Sequence, residues 1–141
     1  MAIPRHLTLE FVTPERAIVH EDVDEVELPG EEGFFGVLPG HAPLLAALKT
    51  GPMWYRQGGE KRFAYIGSGF AEVLPDRVSV LAEVAERAED IDTPRAEAAK
   101  RRAEELLSRP PVVDIDAERA RIALLRAIAR LQVARQSRPR S

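Results

Sequence analysis

The sequence predicts a β-sandwich, or flattened barrel, followed by a C-terminal antiparallel α-helical hairpin. All nine glycines lie between Gly30 and Gly69, and every aromatic residue lies at or before Phe70. Apolar residues alternate with a period of two before this shift and recur at helical spacing after it. We therefore expect a β-sandwich domain over residues 1–86. Residues 87–141 are expected to form a two-helix hairpin with a short disordered tail.

Short strands account for the first part of the chain. Turn-forming glycines and prolines separate the apolar runs, and the stretch from Gln57 to Glu60, with two central glycines, predicts a β-hairpin. About 85 residues of this kind are enough for a small core. The alternating sets are Leu7, Leu9 and Phe11; Val26 and Leu28; Phe63 and Tyr65; and Val78 and Val80.

Two copies of an I-D-x-x-R-A pattern mark the starts of the helices, at residues 91–96 and 115–120. We expect Asp92 and Asp116 to be N-caps, because an aspartate at this position accepts hydrogen bonds from the first free amides of a helix. The second helix is expected to run from about Asp116 to Gln136.

The predicted packing between the two helices is thin. Few large side chains share a face, so the hairpin is expected to be marginal on its own. Arg109, Pro110 and Pro111 are expected to end the first helix. The predicted facing residues are Ala96, Ala99, Ala103 and Leu106 in the first helix, and Leu124, Ile128 and Leu131 in the second.

Composition excludes several classes of protein. The 141 residues contain no cysteine, so disulfides and thiolate zinc sites are excluded, and the three histidines lack metal-ligand spacing. No apolar run approaches the roughly 20 residues that a membrane-spanning helix needs. We expect a chain that stays in the cytoplasm, with no metal site and no direct insertion into the membrane.

The net charge of −3 conceals a split. Residues 1–85 carry 7 basic and 13 acidic side chains, whereas residues 86–141 carry 13 and 10. From Arg119 onward every ionisable side chain is arginine. Arg119, Arg126 and Arg130 are spaced to lie on one helical face, where guanidinium groups suit phosphates or carboxylates. A solvated surface face is the equally weighted alternative.

No arrangement of residues indicates catalysis. The stretch Gly67-Ser68-Gly69 lacks the third glycine of a dinucleotide-binding loop, and there is no Walker A sequence. We therefore predict no catalytic residues.

The loop from Gly36 to Leu44 is of a different kind. Two prolines and two glycines restrict its backbone, so it is a candidate docking edge with Leu38 and Leu44 beside it. A buried turn that carries a hydrogen-bonded His41 is the rival interpretation.

Three stretches of the chain, at residues 33–44, 69–73 and 86–92, resemble the epsilon-subunit family of bacterial F-type ATP synthases. The resemblance implies a sandwich of about ten strands with a C-terminal helical hairpin. It also implies a non-catalytic rotor-stalk subunit, peripheral on the cytoplasmic side of the cell membrane. Its partners would be the gamma subunit and the c-subunit ring, with no nucleic acid. The implied docking residues are Glu31, Leu38, His41 and Leu44.

In this family the hairpin is a regulator, which permits ATP hydrolysis when folded and inhibits it when extended into the catalytic alpha/beta head. The basic face of Arg119, Arg126 and Arg130 would contact that head. The family requires no cofactor, but some of its members bind ATP as a regulatory ligand. The positions that match their site are Glu86, Ile91, Asp92, Arg95, Ala96, Arg102, Arg126 and Arg130.

One alternative function stays open on the residues alone. A free-standing adaptor could bind an anionic partner through the basic second helix. The tail lacks aromatic residues for base stacking, and the sandwich is acidic, so nucleic acid is a poor fit as that partner.

Overall fold

The computed structural model describes residues 2–109 and 114–137. Within these residues ten strands precede two α-helices, which confirms the predicted fold class. The predicted boundary at residue 86 falls within the last strand, and the predicted disordered tail lies largely outside the described residues. The elements are β1 (Leu7–Val12), β2 (Ala17–Val23), β3 (Glu25–Gly30), β4 (Gly33–Val37), β5 (Leu44–Leu48), β6 (Gly51–Gln57), β7 (Glu60–Ile66), β8 (Gly69–Leu74), β9 (Arg77–Ala82), β10 (Ala85–Arg87), α1 (Thr93–Ser108) and α2 (Asp114–Ala134).

The strands form one sheet that folds over on itself into a sandwich. Their order is β10-β7-β6-β3-β5-β8-β9-β1-β2, and β4 pairs with β3. The pairing of β1 with β9 is parallel and the other pairings are antiparallel. At the seam between the two end strands, the guanidinium of Arg87 on β10 donates hydrogen bonds from Nε and Nη2 to the Ile18 carbonyl on β2. The side chain of Arg87 thus completes a nearly closed barrel.

Period-two alternation fills the core as predicted, with one exception. Leu7, Leu9 and Phe11 on β1 are fully buried and point inward. On β7 the inward residues are instead Ala64 and Ile66. The predicted pair Phe63 and Tyr65 therefore lies on the outer face of β7, where Tyr65 is buried against the helices. The predicted hairpin at residues 57–60 is confirmed by the register of β6 with β7.

The helix starts follow the prediction at only one of the two copies of the pattern. The carboxylate of Asp92 caps α1 and accepts a hydrogen bond from the Arg95 amide at 3.1 Å. Asp116 is not a cap, because α2 already includes Asp114. Both aspartates of α2 lie in its first turn, where a carboxylate favours the positive end of the helix dipole.

Small residues form the contact between the helices. Ala96 and Ala103 of α1 are buried, as are Ala120, Ala127 and Leu131 of α2. The prediction that Leu106 joins this contact is wrong, since its side chain is 54% exposed. Ten residues at about 100° each place Leu106 roughly 80° around the helix axis from Ala96. The α1–α2 contact is therefore lined mainly by alanines.

Gly69 allows a close approach between β8 and β9. A Cβ atom at this position would lie 2.1 Å from the Leu81 carbonyl oxygen and 2.8 Å from the Ala82 Cα. We expect Gly69→Ala to lower the free energy of unfolding by more than about 3 kcal/mol, since the obstructing atoms are backbone. Gly36→Ala is the matched control, because nothing lies within 4 Å of its added Cβ. Urea unfolding measures both variants, and equal midpoints for the two would contradict this account of Gly69.

Candidate functional site

An apolar face covers the outside of β5, β8, β9 and β1. Cross-strand register places Ala47 opposite Phe70, Phe70 opposite Leu81, and Leu81 opposite Val12. Leu45 lies on the same side of β5, two residues before Ala47. The exposed fractions are 74% for Leu45, 58% for Phe70 and 61% for Leu81. Contiguous exposed apolar side chains of this kind mark interaction surfaces.

A shallow cleft of about 460 Å³ adjoins the apolar face. Its lining is mostly apolar, and Glu31 and Glu83 are its acidic lining residues. The cleft therefore joins Glu31, one of the predicted docking residues, to the apolar face.

The predicted docking loop is accessible in part. Leu38 and Leu44 are exposed, while His41 is half-buried and its Nδ1 lies 2.6 Å from the Ala42 carbonyl oxygen. The Gly40 amide donates a hydrogen bond to the Pro75 carbonyl at 2.7 Å, which ties the loop to the turn between β8 and β9. The loop thus presents its leucines, whereas the histidine ring is engaged with the chain itself.

The apolar face is not predicted from the sequence. Period-two alternation identifies one face of each strand as buried, and Leu45, Phe70 and Leu81 lie on the other face. The available signal was a strand with apolar residues in both phases, as in Phe70-Ala71 and Leu44-Leu45. Antiparallel strands with one solvated face do not show this pattern.

A second cluster joins α2 to the outer face of β7 and β10. Cross-strand register places Glu86 opposite Tyr65, so both side chains point toward the helix. The Arg130 Nε donates to the Glu86 carboxylate at 2.8 Å, and the Arg130 Cζ lies 4.4 Å from the centre of the Tyr65 ring. Ala129 and Val133 of α2 pack into the same cluster.

The environment of Tyr65 combines burial with positive charge. Burial raises the pKa of the Tyr65 phenol, while the guanidinium groups of Arg130 and Arg126 act in the opposite direction. Arg126 precedes Arg130 by one helical turn on α2.

The structure brings together some of the predicted nucleotide-site residues. Glu86 and Arg130 form an ion pair, Ile91 is buried in the same cluster, and Arg126 lies one turn before Arg130 on α2. Among the described residues, no ion pair or side-chain hydrogen bond joins Arg102 to this cluster. Arg102 instead lines a groove on the outer side of α1.

The remaining predicted positions have local roles in the helices. Asp92 caps α1 by accepting a hydrogen bond from the Arg95 amide. The Arg95 side chain is exposed, and Ala96 is buried between the helices. Of the predicted basic face, Arg119 and Arg126 are exposed, whereas Arg130 is engaged by the sandwich. The basic face is thus only partly open.

Comparisons with known proteins agree along both parts of the chain. The family model for the ATP synthase delta/epsilon chain beta-sandwich domain matches residues 6–88. The model for the ATP synthase delta/epsilon chain long alpha-helix domain matches residues 89–135.

Two relatives are similar over nearly their whole length. The ATP synthase epsilon chain of Solibacter usitatus is 50% identical over 133 residues, which cover 94% of this chain and 98% of that protein. The ATP synthase epsilon chain of Nitratidesulfovibrio vulgaris strain DP4 is 49% identical over 129 residues, covering 92% and 96%.

Two solved structures share the architecture. A chain in the cryo-EM structure of the Euglena gracilis mitochondrial ATP synthase OSCP/F1/c-ring superposes with a TM-score of 0.82 at 26% identity, covering 95% of this chain and 84% of that one. A chain in the cryo-EM structure of the Tetrahymena thermophila mitochondrial ATP synthase central stalk and c-ring has a TM-score of 0.63 at 11% identity, covering 95% and 99%. The second likeness supports the fold alone.

Proposed function

The chain belongs to the ATP synthase delta/epsilon chain family, and on that premise we propose that it works as a non-catalytic coupling and regulatory subunit of the central stalk. In this role it transmits proton-driven rotation of the c ring and gamma to the catalytic head. The observation that carries the proposal is the exposed apolar face on a sandwich of this family. A stalk subunit needs a permanent docking surface of this kind.

A binding role, rather than a reactive one, suits the interior of the molecule. Among the described residues no charged side chain is buried, and tyrosines are the only hydroxyl-bearing side chains that are buried. Catalytic acids and bases usually sit in desolvated sites that shift their pKa. The surfaces described above are instead suited to contact with other subunits, and the alternative of a free-standing adaptor has no support from the family membership.

The gamma subunit and the c ring are the proposed partners of the sandwich. The apolar face offers the large contact, Glu31 adjoins it through the cleft, and the docking loop presents the exposed Leu38 and Leu44. His41 would hold the loop in shape through the Ala42 carbonyl. Attachment to the ring would keep the protein peripheral on the cytoplasmic side of the cell membrane. Among the described residues, neither helix combines the length and the apolar character of a membrane span.

The hairpin is proposed to regulate ATP hydrolysis. Its alanine-lined contact and small cluster on β7 suit an element that leaves the sandwich at low energetic cost. Once extended, its arginines would pair with acidic segments of the catalytic alpha/beta head.

ATP is proposed as a regulatory ligand of the docked hairpin. Arg126 and Arg130 lie one turn apart on α2, and Ile91 is buried in the cluster that includes Ala129 of the same helix, which supports this role. Arg95 and Arg102, seven residues apart on one flank of α1, would have to contribute from the neighbouring helix.

Charge placed on the apolar face should prevent docking. We expect Phe70→Glu with Leu81→Glu to lower the affinity for the gamma subunit by roughly a hundredfold or more, since a docked glutamate would be buried without a partner. Leu106→Glu is the control, because its side chain is similarly exposed but lies on α1. Pull-down and titration with purified gamma measure the effect, and wild-type binding by the double variant would remove the apolar face from the proposal.

Removal of the hairpin should release inhibition. We expect a chain ending at Ala88 to assemble normally and to raise the ATP hydrolysis rate of the assembled enzyme severalfold. The reason is that the activity lost to inhibition is about the fraction of molecules in which the hairpin is extended. Co-purification with gamma serves as the control for assembly. An unchanged hydrolysis rate in correctly assembled enzyme would refute the inhibitory role and leave the docking proposal intact.

ATP binding should depend on the second helix. We expect Arg126→Ala to weaken ATP binding by roughly ten- to a hundredfold, as expected for loss of a charge-assisted hydrogen bond. Arg121→Ala is the matched control, because Arg121 pairs with Glu118 on an exposed part of the same helix. Isothermal calorimetry on the full chain measures both, and absence of heat at millimolar ATP would refute the proposal.

A further inference from the structure

The apolar contact between the helices and the sandwich is small. Its buried members are Tyr65 of β7, Ala88 and Ile91 of the connecting segment, and Ala129, Val133 and Ala134 of α2. Three of these six residues are alanine, and a buried methyl group contributes little compared with a leucine or phenylalanine side chain. Apolar burial alone therefore holds α2 weakly.

The ion pair of Arg130 with Glu86 adds a directional contact to this cluster. The two side chains are 29% and 32% exposed, so their attraction is screened less than that of an open surface pair. The guanidinium also stacks on the Tyr65 ring at 4.4 Å, which is within the range of a cation–π interaction. Among residues 2–109 and 114–137, this is the one ion pair between the hairpin and the sandwich.

The receiving side of the contact is fixed by the sheet. Glu86 and Tyr65 are cross-strand neighbours, held by the pairing of β10 with β7. Release of α2 separates Arg130 from both partners in one step and uncovers the Tyr65 ring. The contact is therefore made in full or lost in full, as a two-state element requires.

We propose that Arg130, Glu86 and Tyr65 form a latch that sets how often the hairpin leaves the sandwich. Its importance for ATP hydrolysis rests on the proposed regulatory function, but the latch itself can be measured on the isolated full chain. The same contact withholds Arg130 from the basic face while the hairpin is docked. Undocking would return this arginine to the surface that meets the catalytic head.

The absence of cysteine permits a direct measurement of release. In an Ala129→Cys background the single thiol is buried under the docked helix, so its labelling rate by a thiol reagent reports the equilibrium fraction of open molecules. This readout detects even a rarely populated open state. We expect Arg130→Gln to speed labelling roughly five- to thirtyfold and Glu86→Gln roughly fivefold.

Two further results separate a latch from a general loss of packing. The double variant should label no faster than Arg130→Gln alone, because both changes remove the same interaction. High salt should speed labelling of the parent more than labelling of Arg130→Gln. Tyr65→Leu, which keeps an apolar residue but loses the ring, should also speed labelling.

Matched controls keep the outcome decisive. Arg121→Gln removes the Arg121–Glu118 pair, which also has a 2.8 Å separation but lies exposed within α2, and it should leave the labelling rate unchanged. A separate Ala71→Cys background reports opening of the sandwich core and should not respond to the latch variants. An unchanged rate in Arg130→Gln, or equal acceleration in both backgrounds, would overturn the latch. Neither result would bear on hydrolysis by the truncated chain, so the two proposals fail separately.

Discussion

Apolar side chains on the outer faces of the sandwich are the constraint on which the rest of this structure depends. A folded-over sheet buries only its inner faces, and the outer face of an antiparallel sheet is ordinarily polar. Here Tyr65 and Phe63 occupy one outer face, while Phe70 and Leu81 occupy another. The first is covered by the chain's own helix, and the second is left exposed. The hairpin thus covers the face of Tyr65 and Phe63 in the way that a partner subunit would cover the face of Phe70 and Leu81.

The two outer faces differ in how strongly they can be covered. The apolar face presents leucines and a phenylalanine, which bring a large area to a permanent contact. The face under α2 receives alanines and one valine, together with a single charged contact. A strong contact suits a subunit that must not dissociate under torque, whereas a weak one suits an element that changes position. The distribution of residue sizes therefore supports the proposed coupling role for the apolar face and the proposed regulatory role for the hairpin.

Features that depend on residues close together in the chain are predicted from the sequence, whereas features that depend on the pairing of strands are not. The turn at residues 57–60 and the Asp92 cap are encoded within a few residues, and both predictions are confirmed. The prediction that Asp116 is an N-cap is wrong, because the start of a helix depends on the residues before the I-D-x-x-R-A pattern as well as on the pattern itself. The grouping of Tyr65 with Glu86 depends on the register of β10 with β7, which sequence periodicity does not reveal. The apolar face depends on four strands brought side by side, so only the fold assembles it.

Charge separation along the chain has a structural consequence that composition alone does not show. The acidic sandwich and the arginine-rich second helix attract each other at long range, but that attraction is screened within about 10 Å at ordinary salt. Within the described part of the chain, only Arg130 converts it into a direct ion pair across the interface. Arg119 and Arg126 remain exposed on the docked helix. When α2 is docked, few of its arginines therefore pair with the sandwich. Most of them stay available to an anionic ligand or partner. Because most arginines of α2 are not paired with the sandwich, an acidic surface that pairs with them can compete with the sandwich for this helix.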